Sequence, residues 1–500
     1  MAWFRRKKPD DRKTPKRNPQ RAFASAKLNN LTASWTTTER PADTDIQNAL
    51  NTLRARSRNE YQSNDYAKKA VNLFKQNVIG RDGIRLQARP LRRNGDLDLP
   101  AATAIEEAYK DFSMRGVPEV TGQRSRIDVE NLFISSLIID GEVILLAQNG
   151  WRRNKYGFAV QFIDPVLLDV ELNKTLTNGN IIRMGVELDQ FRSPVAYHLI
   201  SQDAGQTEYR LSAMRKHTRI PAQRILHAFL PEYVYQTRGV PGLSVSLMRY
   251  NMLKGYEDAE LTAARVAAAK MGFFEDSEDG SGYLGEELDS DDEPLIDAAE
   301  PGKFGRLPNG VKFEPWDPQH PTAQYKDYVK AVLRGAASGA NVPYNSMAND
   351  LEGVNFSALR QGNLDAQDVW RCYQRFTIDT LETWMYRWWL NQSLLTGAIE
   401  IRPGSPLNGE LKQKYLRVTW QPRTWEHVQP REQENANDMR IKNRTKSTSQ
   451  IIRDQGGDPD ETFREIAEER AKMEAMGILP VEEANNGNQN PENTAISQNG

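Results

Sequence analysis

The sequence of 500 residues has little of what secreted and membrane proteins depend on. Its single cysteine, Cys372, excludes an intrachain disulfide, and the first residues do not follow the basic, apolar and small-residue order of a secretion signal. We therefore expect a chain that works in a reducing cytoplasm. The longest apolar runs, such as residues 143–147, are far shorter than the ~20 residues that span a bilayer. We expect no membrane span and no membrane partner.

The usual sequence signatures of catalysis are also missing. There is no G-x-x-x-x-G-K-[ST] phosphate loop and no G-x-S-x-G nucleophile elbow, and the 5 histidines are scattered at spacings that do not suit zinc. We therefore expect no catalytic residue, no metal and no cofactor. The enzymatic alternative is a DNA-processing enzyme such as a metal-dependent nuclease, which would need clustered acids that hold a metal.

One glycine-containing acidic segment, residues 275–286, approximates two ligand-binding motifs. Gly280, Gly282 and Gly285 form G-x-G-x-x-G, but the surrounding carboxylates would repel a pyrophosphate, so we interpret the motif as a flexible turn. The same segment approximates a calcium loop that begins with Glu275 where Asp is usual. A solvated acidic loop is the alternative, and the sequence leaves both open.

The net charge of -1 conceals a strong separation of charge along the chain. Residues 5–21 are crowded with lysine, arginine and proline, which cannot bury a core, so we predict a basic disordered tail over residues 1–24. Residues 275–300 contain no lysine or arginine, and their surface would repel nucleic acid or attract a basic partner. The candidates for docking that partner are Asp279, Glu286, Glu287, Asp289, Asp291, Asp292 and Glu293.

Hydrophobic periodicity predicts an α+β, mostly helical chain of several domains. Residues 50–86 and 128–140 have the spacing of helices. Between them and residue 240 lie short β-branched or aromatic runs separated by turn signals, which predict a mostly antiparallel sheet with flanking helices. These predicted strands are residues 142–148, 158–163, 181–188, 195–200 and 224–229.

Long helices are predicted in the second half of the chain. Residues 243–270 have no interior proline, and Pro321 is well placed in the first turn of a second helix that ends near residue 339. The two helices bracket the acidic insert. A third predicted helix, residues 359–395, carries a dense group of tryptophans and a tyrosine, which we interpret as a packed junction in preference to a base-stacking or membrane surface.

Lys326, Lys330 and Arg334 recur every fourth residue and therefore lie in one basic stripe along the second long helix. The plain alternative is a solvated face, or ion pairs with Glu257 and Glu260 of the first long helix. The stripe would contact DNA only if copies of this helix surrounded a pore.

Three segments resemble the lambda-type portal family of tailed bacteriophages, and the resemblance extends from about residue 45 to 478. They are NDYAKKAVNLFKQNVIGRDGIRLQ from Asn64, QTRGVPGLS from Gln236, and NVPYNSMANDLEGVNFSALRQGNLDAQDVWR from Asn341. The resemblance implies a ring of about twelve subunits at one capsid vertex. Its channel would carry double-stranded DNA, pumped by a separate terminase motor, and the ring would connect the head to the neck and tail.

The family's architecture of wing, stem, clip and crown can be placed on this chain. The resemblance implies a wing at residues 25–240, stem helix one at 241–271, an acidic clip at 272–320, stem helix two at 321–339, a tunnel loop at 340–358, a long wing helix and connection at 359–429 and a helical crown at 430–480. Residues 481–500 are rich in Asn, Gln, Glu and Gly and have almost no apolar residue, which predicts a disordered tail. The implied partners are further copies of the chain, the terminase large subunit, the major capsid or scaffold protein and a head–tail adaptor. The implied location is the virion, with assembly in the host cytoplasm.

The predicted tunnel loop is polar and has few charges. Such groups can touch passing phosphates without gripping them. We therefore expect DNA-channel contacts from Asn341, Asn345, Ser346, Asn349 and Asn355 as well as from the basic stripe. A non-viral scaffold protein with a basic tail is the remaining alternative.

Overall fold

The computed structural model describes residues 34, 36–201, 216–268, 272–276, 311–315, 325–425 and 430–476. The predicted tails at residues 1–24 and 481–500 lie outside the described residues. So do Pro321, the glycine motif, all seven acidic docking candidates, and the approximate calcium loop apart from its first two residues.

Helices make up most of the described chain. They are α1 (Ala42–Ser63), α2 (Asp65–Phe74), α3 (Leu99–Phe112), α4 (Arg126–Ile139), α5 (Leu247–Ala268), α6 (Tyr325–Gly339), α7 (Tyr344–Ala348), α8 (Phe356–Thr377), α9 (Thr383–Thr396), α10 (Lys412–Tyr415), α11 (Pro430–Lys442), α12 (Thr448–Asp454) and α13 (Pro459–Ala475). Two π-helical turns, Lys75–Ile79 and Ile378–Glu382, extend α2 and join α8 to α9.

The strands are short and pair only antiparallel in the described part of the chain. They are β1 (Arg85–Ala88), β2 (Glu142–Trp151), β3 (Gly157–Ile163), β4 (Lys174–Thr175), β5 (Ile181–Arg183), β6 (Val186–Leu188), β7 (Pro194–Ile200), β8 (His217–Pro221), β9 (Ile225–Phe229), β10 (Gly272–Asp276), β11 (Val311–Pro315), β12 (Glu400–Arg402), β13 (Ser405–Pro406) and β14 (Val418–Gln421). The predicted α+β, mostly helical class is therefore confirmed.

Two sheets pack against each other where one antiparallel sheet was predicted. One has the order β3-β2-β9, and the other is a meander of β4 to β8. Ile144 and Leu146 of β2 belong to one buried cluster with residues of the meander such as Val186 and Leu199. Val143 and Leu145, on the opposite face of the same strand, join the large helical core. Successive side chains of a strand point to opposite faces, so both faces of β2 are buried.

The sequence predictions missed two breaks. The helical pattern from residue 50 is interrupted at Asn64, whose side-chain oxygen accepts from the backbone N–H groups of Tyr66 and Ala67 and caps a new helix, α2. The run 181–188 is a hairpin, because Met184 and Gly185 both have positive φ and turn the chain between β5 and β6. Met184 is an unusual residue for such a turn, so no turn signal marks it.

The aromatic group of the third long helix is a packed junction, as predicted. Trp389 is fully buried, and its ring lies 4.9 Å from that of Tyr109 in α3. Tyr386, also buried, donates a hydrogen bond of 2.7 Å to the carbonyl of Tyr415. The junction fixes α9 against α3, α10 and β14.

The π-helical turn between α8 and α9 introduces a buried acid into this core. Glu382 and Glu130 both contact the single guanidinium of Arg126, and all three side chains are buried. Burial raises the pKa of Glu382 to about 7, against the attraction of Arg126. The π-helical turn therefore brings a second carboxyl group to one buried guanidinium.

The predicted pair of long helices is present and brackets the acidic insert. Leu253 and Tyr250 of α5 and Leu333 and Ala336 of α6 belong to one buried cluster. Residues 277–310 lie between β10 and β11, which pair antiparallel over their full length. The two ends of the insert are therefore held side by side beyond the helices.

A buried charge network centred on Glu142 of β2 joins the helical part to both sheets. Glu142 accepts hydrogen bonds from Arg54 of α1 at 2.7 Å and from Arg238 at 2.5 Å. His227 Nε2 of β9 lies 3.0 Å from its other oxygen. The Arg238 guanidinium also donates to the carbonyls of Leu168 and Met184. Burial works against the charged form, but Arg238 holds the pKa of Glu142 well below its usual value.

Replacing Glu142 with Gln should destabilise the fold by roughly 3–5 kcal/mol, because two guanidinium groups would remain buried without a countercharge. Urea unfolding followed by circular dichroism would measure the change. The matched control is Glu171→Gln at an exposed position, which should stay within about 0.5 kcal/mol of the parent. Equal stability of the two variants would contradict the role assigned to the network.

Candidate functional site

The basic stripe lies on α6, and the structure gives its three side chains different surroundings. Lys326 is 62% exposed, whereas Lys330 is 23% exposed. The Arg334 guanidinium stacks over the ring of Tyr344 at 5.4 Å. The predicted helical face is therefore present, but its charges are not equally free.

The segment assigned to the tunnel loop, residues 340–358, is partly helical, and its assignment stays a prediction. It contains α7, and α8 begins at Phe356 instead of near residue 359. Pro343 directly precedes α7, and Asn349 ends it in the left-handed conformation. The non-helical part is therefore confined to the turn that follows Gly339 and to residues 349–355.

The asparagines expected to contact DNA have local structural roles here. Asn341 and Asn349 have positive φ values of 58° and 51°, which asparagine tolerates better than most residues. Asn355 caps α8 by accepting from the Ser357 N–H at 3.1 Å. Asn345 and Ser346 lie on α7 and are half-buried. Contact of these side chains with DNA stays a prediction.

A second set of side chains, which the sequence did not single out, joins the stripe to this segment. Lys326 pairs with Glu352 at 2.6 Å, and Lys330 pairs with Asp350 at 3.2 Å. The Tyr344 hydroxyl donates to Asp350 at 2.7 Å. We call these five residues the latch, because they hold residues 349–355 against α6.

The electrostatics of the latch favour its charged form. The Tyr344 hydroxyl and Lys330 lower the pKa of Asp350 to about 2. The ion pair with Lys326 lowers the pKa of Glu352, and the bond to Asp350 raises that of Lys330. Lys330, Asp350 and Glu352 are therefore charged at neutral pH. A search for acids that follow the basic helix would have found Asp350 and Glu352.

The described residues were also compared with the requirements of a metal site and of a membrane-spanning helix. No group of three or more His, Cys, Asp or Glu side chains within the described ranges is arranged to hold a metal ion. None of the described helices is both long and apolar enough to cross a bilayer.

Comparison with known proteins decides the family. The sequence model described as "Phage portal protein, lambda family" matches residues 28–374, more than half of the chain. The chain belongs to the lambda family of phage portal proteins. It is therefore a portal subunit, a structural component of the virion at the capsid vertex that assembles with copies of itself and connects the capsid to the tail.

Two curated relatives agree with this assignment. The chain is 35% identical over 463 residues to a "Probable portal protein" of Halomonas phage phiHAP-1, covering 92% of this chain and 88% of the relative. It is 22% identical over 432 residues to "Portal protein B" of Escherichia phage lambda, covering 78% of this chain and 77% of the relative.

Solved structures of similar chains come from gene transfer agent particles. A chain in "Neck of empty GTA particle computed with C6 symmetry" is 14% identical, with a TM-score of 0.41. The match covers 85% of the present chain and 97% of the solved chain. A chain in "Neck of native GTA particle computed with C12 symmetry" is 13% identical, with a TM-score of 0.41. The match covers 86% of the present chain and 98% of the solved chain.

Replacing Lys330 with Gln should loosen the latch, because Asp350 would lose its cation and Glu352 one of its two. A glutamate-specific protease should then cleave after Glu352 several-fold faster, which gel electrophoresis of a time course would show. The matched control is Lys68→Gln, at an exposed lysine of α2. If both variants were cut at the parent's rate, the latch would not restrain this segment.

Proposed function

We propose that about twelve copies of the chain form a ring that carries double-stranded DNA through its centre. In this proposal the terminase large subunit docks on the ring during packaging, a head–tail adaptor joins it later, and assembly takes place in the host cytoplasm against the capsid or scaffold protein. The observation that carries the proposal is the antiparallel pair α5 and α6, closed at one end by β10 and β11, in a member of the portal family. We retain the wing, stem, clip and crown boundaries given above.

The outward face of α5 supports packing between copies. Met248 and Met252 are 60% and 62% exposed. Gly255, Ala259 and Thr262 continue the same face and are also exposed. The spacing alternates between four and three residues, which places all five side-chain positions in one seam along the helix. Exposed methionines on a helix whose other face is already buried are suited to packing against a helix of the next copy.

The acidic segment supports a docking role at the far end of the stem. Asp279, Glu286, Glu287, Asp289, Asp291, Asp292 and Glu293 all lie in the chain between β10 and β11, whose paired strands bring the segment's ends together. Each copy would present the segment once, so a ring would multiply its negative charge. We propose that it faces a basic surface of the terminase or of the adaptor, and that binding weakens as salt rises.

Lys326, Lys330 and Arg334 supply the cations of the proposed channel surface. Lys326 is exposed to solvent although it pairs with Glu352. An exposed ion pair contributes little free energy, so phosphates can compete for the lysine without a large penalty. If Lys326 exchanged Glu352 for passing phosphates in this way, it would contact moving DNA without binding it tightly.

Replacing Met248 and Met252 with Lys should prevent ring assembly, because two charges would face the next copy. Light scattering should give a mass near one 56.9 kDa chain instead of the roughly 680 kDa of a ring of about twelve. Lysine and methionine have similar helix propensities, so the subunit itself should stay folded. Met114→Lys, at another exposed methionine, is the control. Rings of normal mass from the double variant would place the interface elsewhere.

Replacing Lys326, Lys330 and Arg334 with Gln should reduce DNA packaging while rings still form. Because the change also opens the latch, Asp350→Asn with Glu352→Gln is the matched control: it frees the same segment but keeps the cations. Packaged DNA protected from nuclease is the readout. Normal packaging by the triple variant, or an equal loss in the control, would remove the stripe from the channel surface.

A further inference from the structure

A large cleft separates α8 from the helices near the C-terminus. Its volume is about 1040 Å³. One wall is a single face of α8, which includes Gln367, Arg371 and Gln374. Segment 422–425 forms the floor, and α11 and α12 form the other wall. The cleft shares no residue with the latch or with the acidic segment.

The charge of the cleft is strongly positive. It is lined by two acids, Glu434 and Asp454, against six cations, which are Arg371, Arg375, Arg423, Arg440, Lys446 and Arg453. Three of these cations pair with nearby acids: Arg371 with Asp368, Arg375 with Asp379, and Lys446 with Asp454. The described part of the chain offers no carboxylate partner to Arg423, Arg440 or Arg453.

Two of those three arginines are available to a ligand. Arg423 is engaged, since it donates to the carbonyl of Gln76. Arg440 is exposed on α11. Arg453 is half-buried on α12, and its Nε is buried without a hydrogen-bond partner among the described residues. A buried N–H of this kind is costly unless an acceptor reaches it.

The acceptor that we assign to this lining is the phosphate of a nucleic acid backbone. Arginine holds phosphate and carboxylate oxygens alike through two parallel hydrogen bonds, so the arginines alone do not separate the two. Trp425 lies in the same cleft, stacked on Trp370 at 5.8 Å, with the Arg371 guanidinium over its ring at 5.6 Å. Gln367 and Gln433 line the same cleft, and amide side chains of this kind are common donors to the phosphates of DNA.

We propose that this cleft is a second DNA-binding site of the portal, in which Arg440 and Arg453 hold backbone phosphates where α8 meets α11 and α12. The inference rests on the proposed function for its ligand, DNA, but it concerns a different surface from the channel stripe. Each copy carries one cleft, so a ring would display a circle of such sites.

Replacing Arg440 and Arg453 with Gln in assembled rings should weaken binding of a short fluorescent DNA duplex about fivefold or more at moderate salt. The slope of log Kd against log salt should fall by about 2, one for each lost phosphate contact. The control is Arg152→Gln with Arg153→Gln, which removes the same charge from an exposed turn next to β2. Arg440→Gln alone, at an exposed position, should show part of the effect if the double variant proves unstable.

Unchanged binding by the Arg440 and Arg453 variant would overturn the inference, as would an equal loss in the control, which would indicate general attraction to a basic surface. Displacement of the duplex by inorganic polyphosphate but not by polyglutamate would support phosphate recognition, and equal displacement by both would overturn it. The channel stripe is tested separately, by packaging. If the stripe variant lost packaging while the cleft variant still bound the duplex, the cleft alone would be rejected. If the stripe variant packaged DNA normally while the cleft variant lost duplex binding, the stripe alone would be rejected.

Discussion

The carboxylate of Glu142 is the point at which the separate layers of the subunit are joined. Desolvating two arginines and an acid is expensive, and the attraction repays that cost only when every donor is satisfied. Arg238 meets this condition by dividing its donors between Glu142 and the carbonyls of Leu168 and Met184, whereas Nε and Nη1 of Arg54 are buried without a partner among the described residues. Arg238 therefore holds the three-stranded sheet and the meander together, and Arg54 of α1 links the helical part to the same carboxylate. Networks of this kind fix a geometry more than they add stability.

This junction also determines where the long helix α5 begins. Gly239 donates its N–H to Glu142, and the chain reaches Leu247, the first residue of α5, eight residues later. Gly141, with a φ of +84°, lies directly against the Val240 backbone, where any side chain would overlap it. The start of α5 is therefore tied to this junction, while the helix itself packs against α6 and α1. In the proposed ring the seam of Met248 and Met252 lies between copies, so an error in the position of α5 would be repeated at every interface.

Sequence patterns predicted most elements because those elements depend on local periodicity. Strand β2, the pair α5 and α6, and the long helix that carries Trp389 were all foreseen. The Glu142 network was not, because Arg54 and Arg238 lie 88 and 96 residues from Glu142 and each alone resembles an ordinary surface charge. The asparagines after α6 were assigned to DNA contact because the resemblance placed them in the tunnel loop and because they are polar, whereas the backbone shows that Asn341 and Asn349 occupy left-handed positions. Polarity alone does not separate these two uses of asparagine.

The contrast between the Glu142 network and the latch indicates which part of the subunit can move. Both are built from arginine or lysine and a carboxylate, and in both the partners lower the pKa of the carboxyl groups. Glu142 and Arg238 are completely buried, so breaking their contact would leave charges away from water. Lys326 and Glu352 are 62% and 64% exposed, so water can replace either partner and a phosphate can replace Glu352. Periodicity correctly placed Lys326 and Lys330 on one face, but only burial shows that their bonds can be exchanged. If the stripe faces the channel, residues 349–355 are therefore the part of the described chain best suited to yield to passing DNA while the sheets and α5 stay fixed.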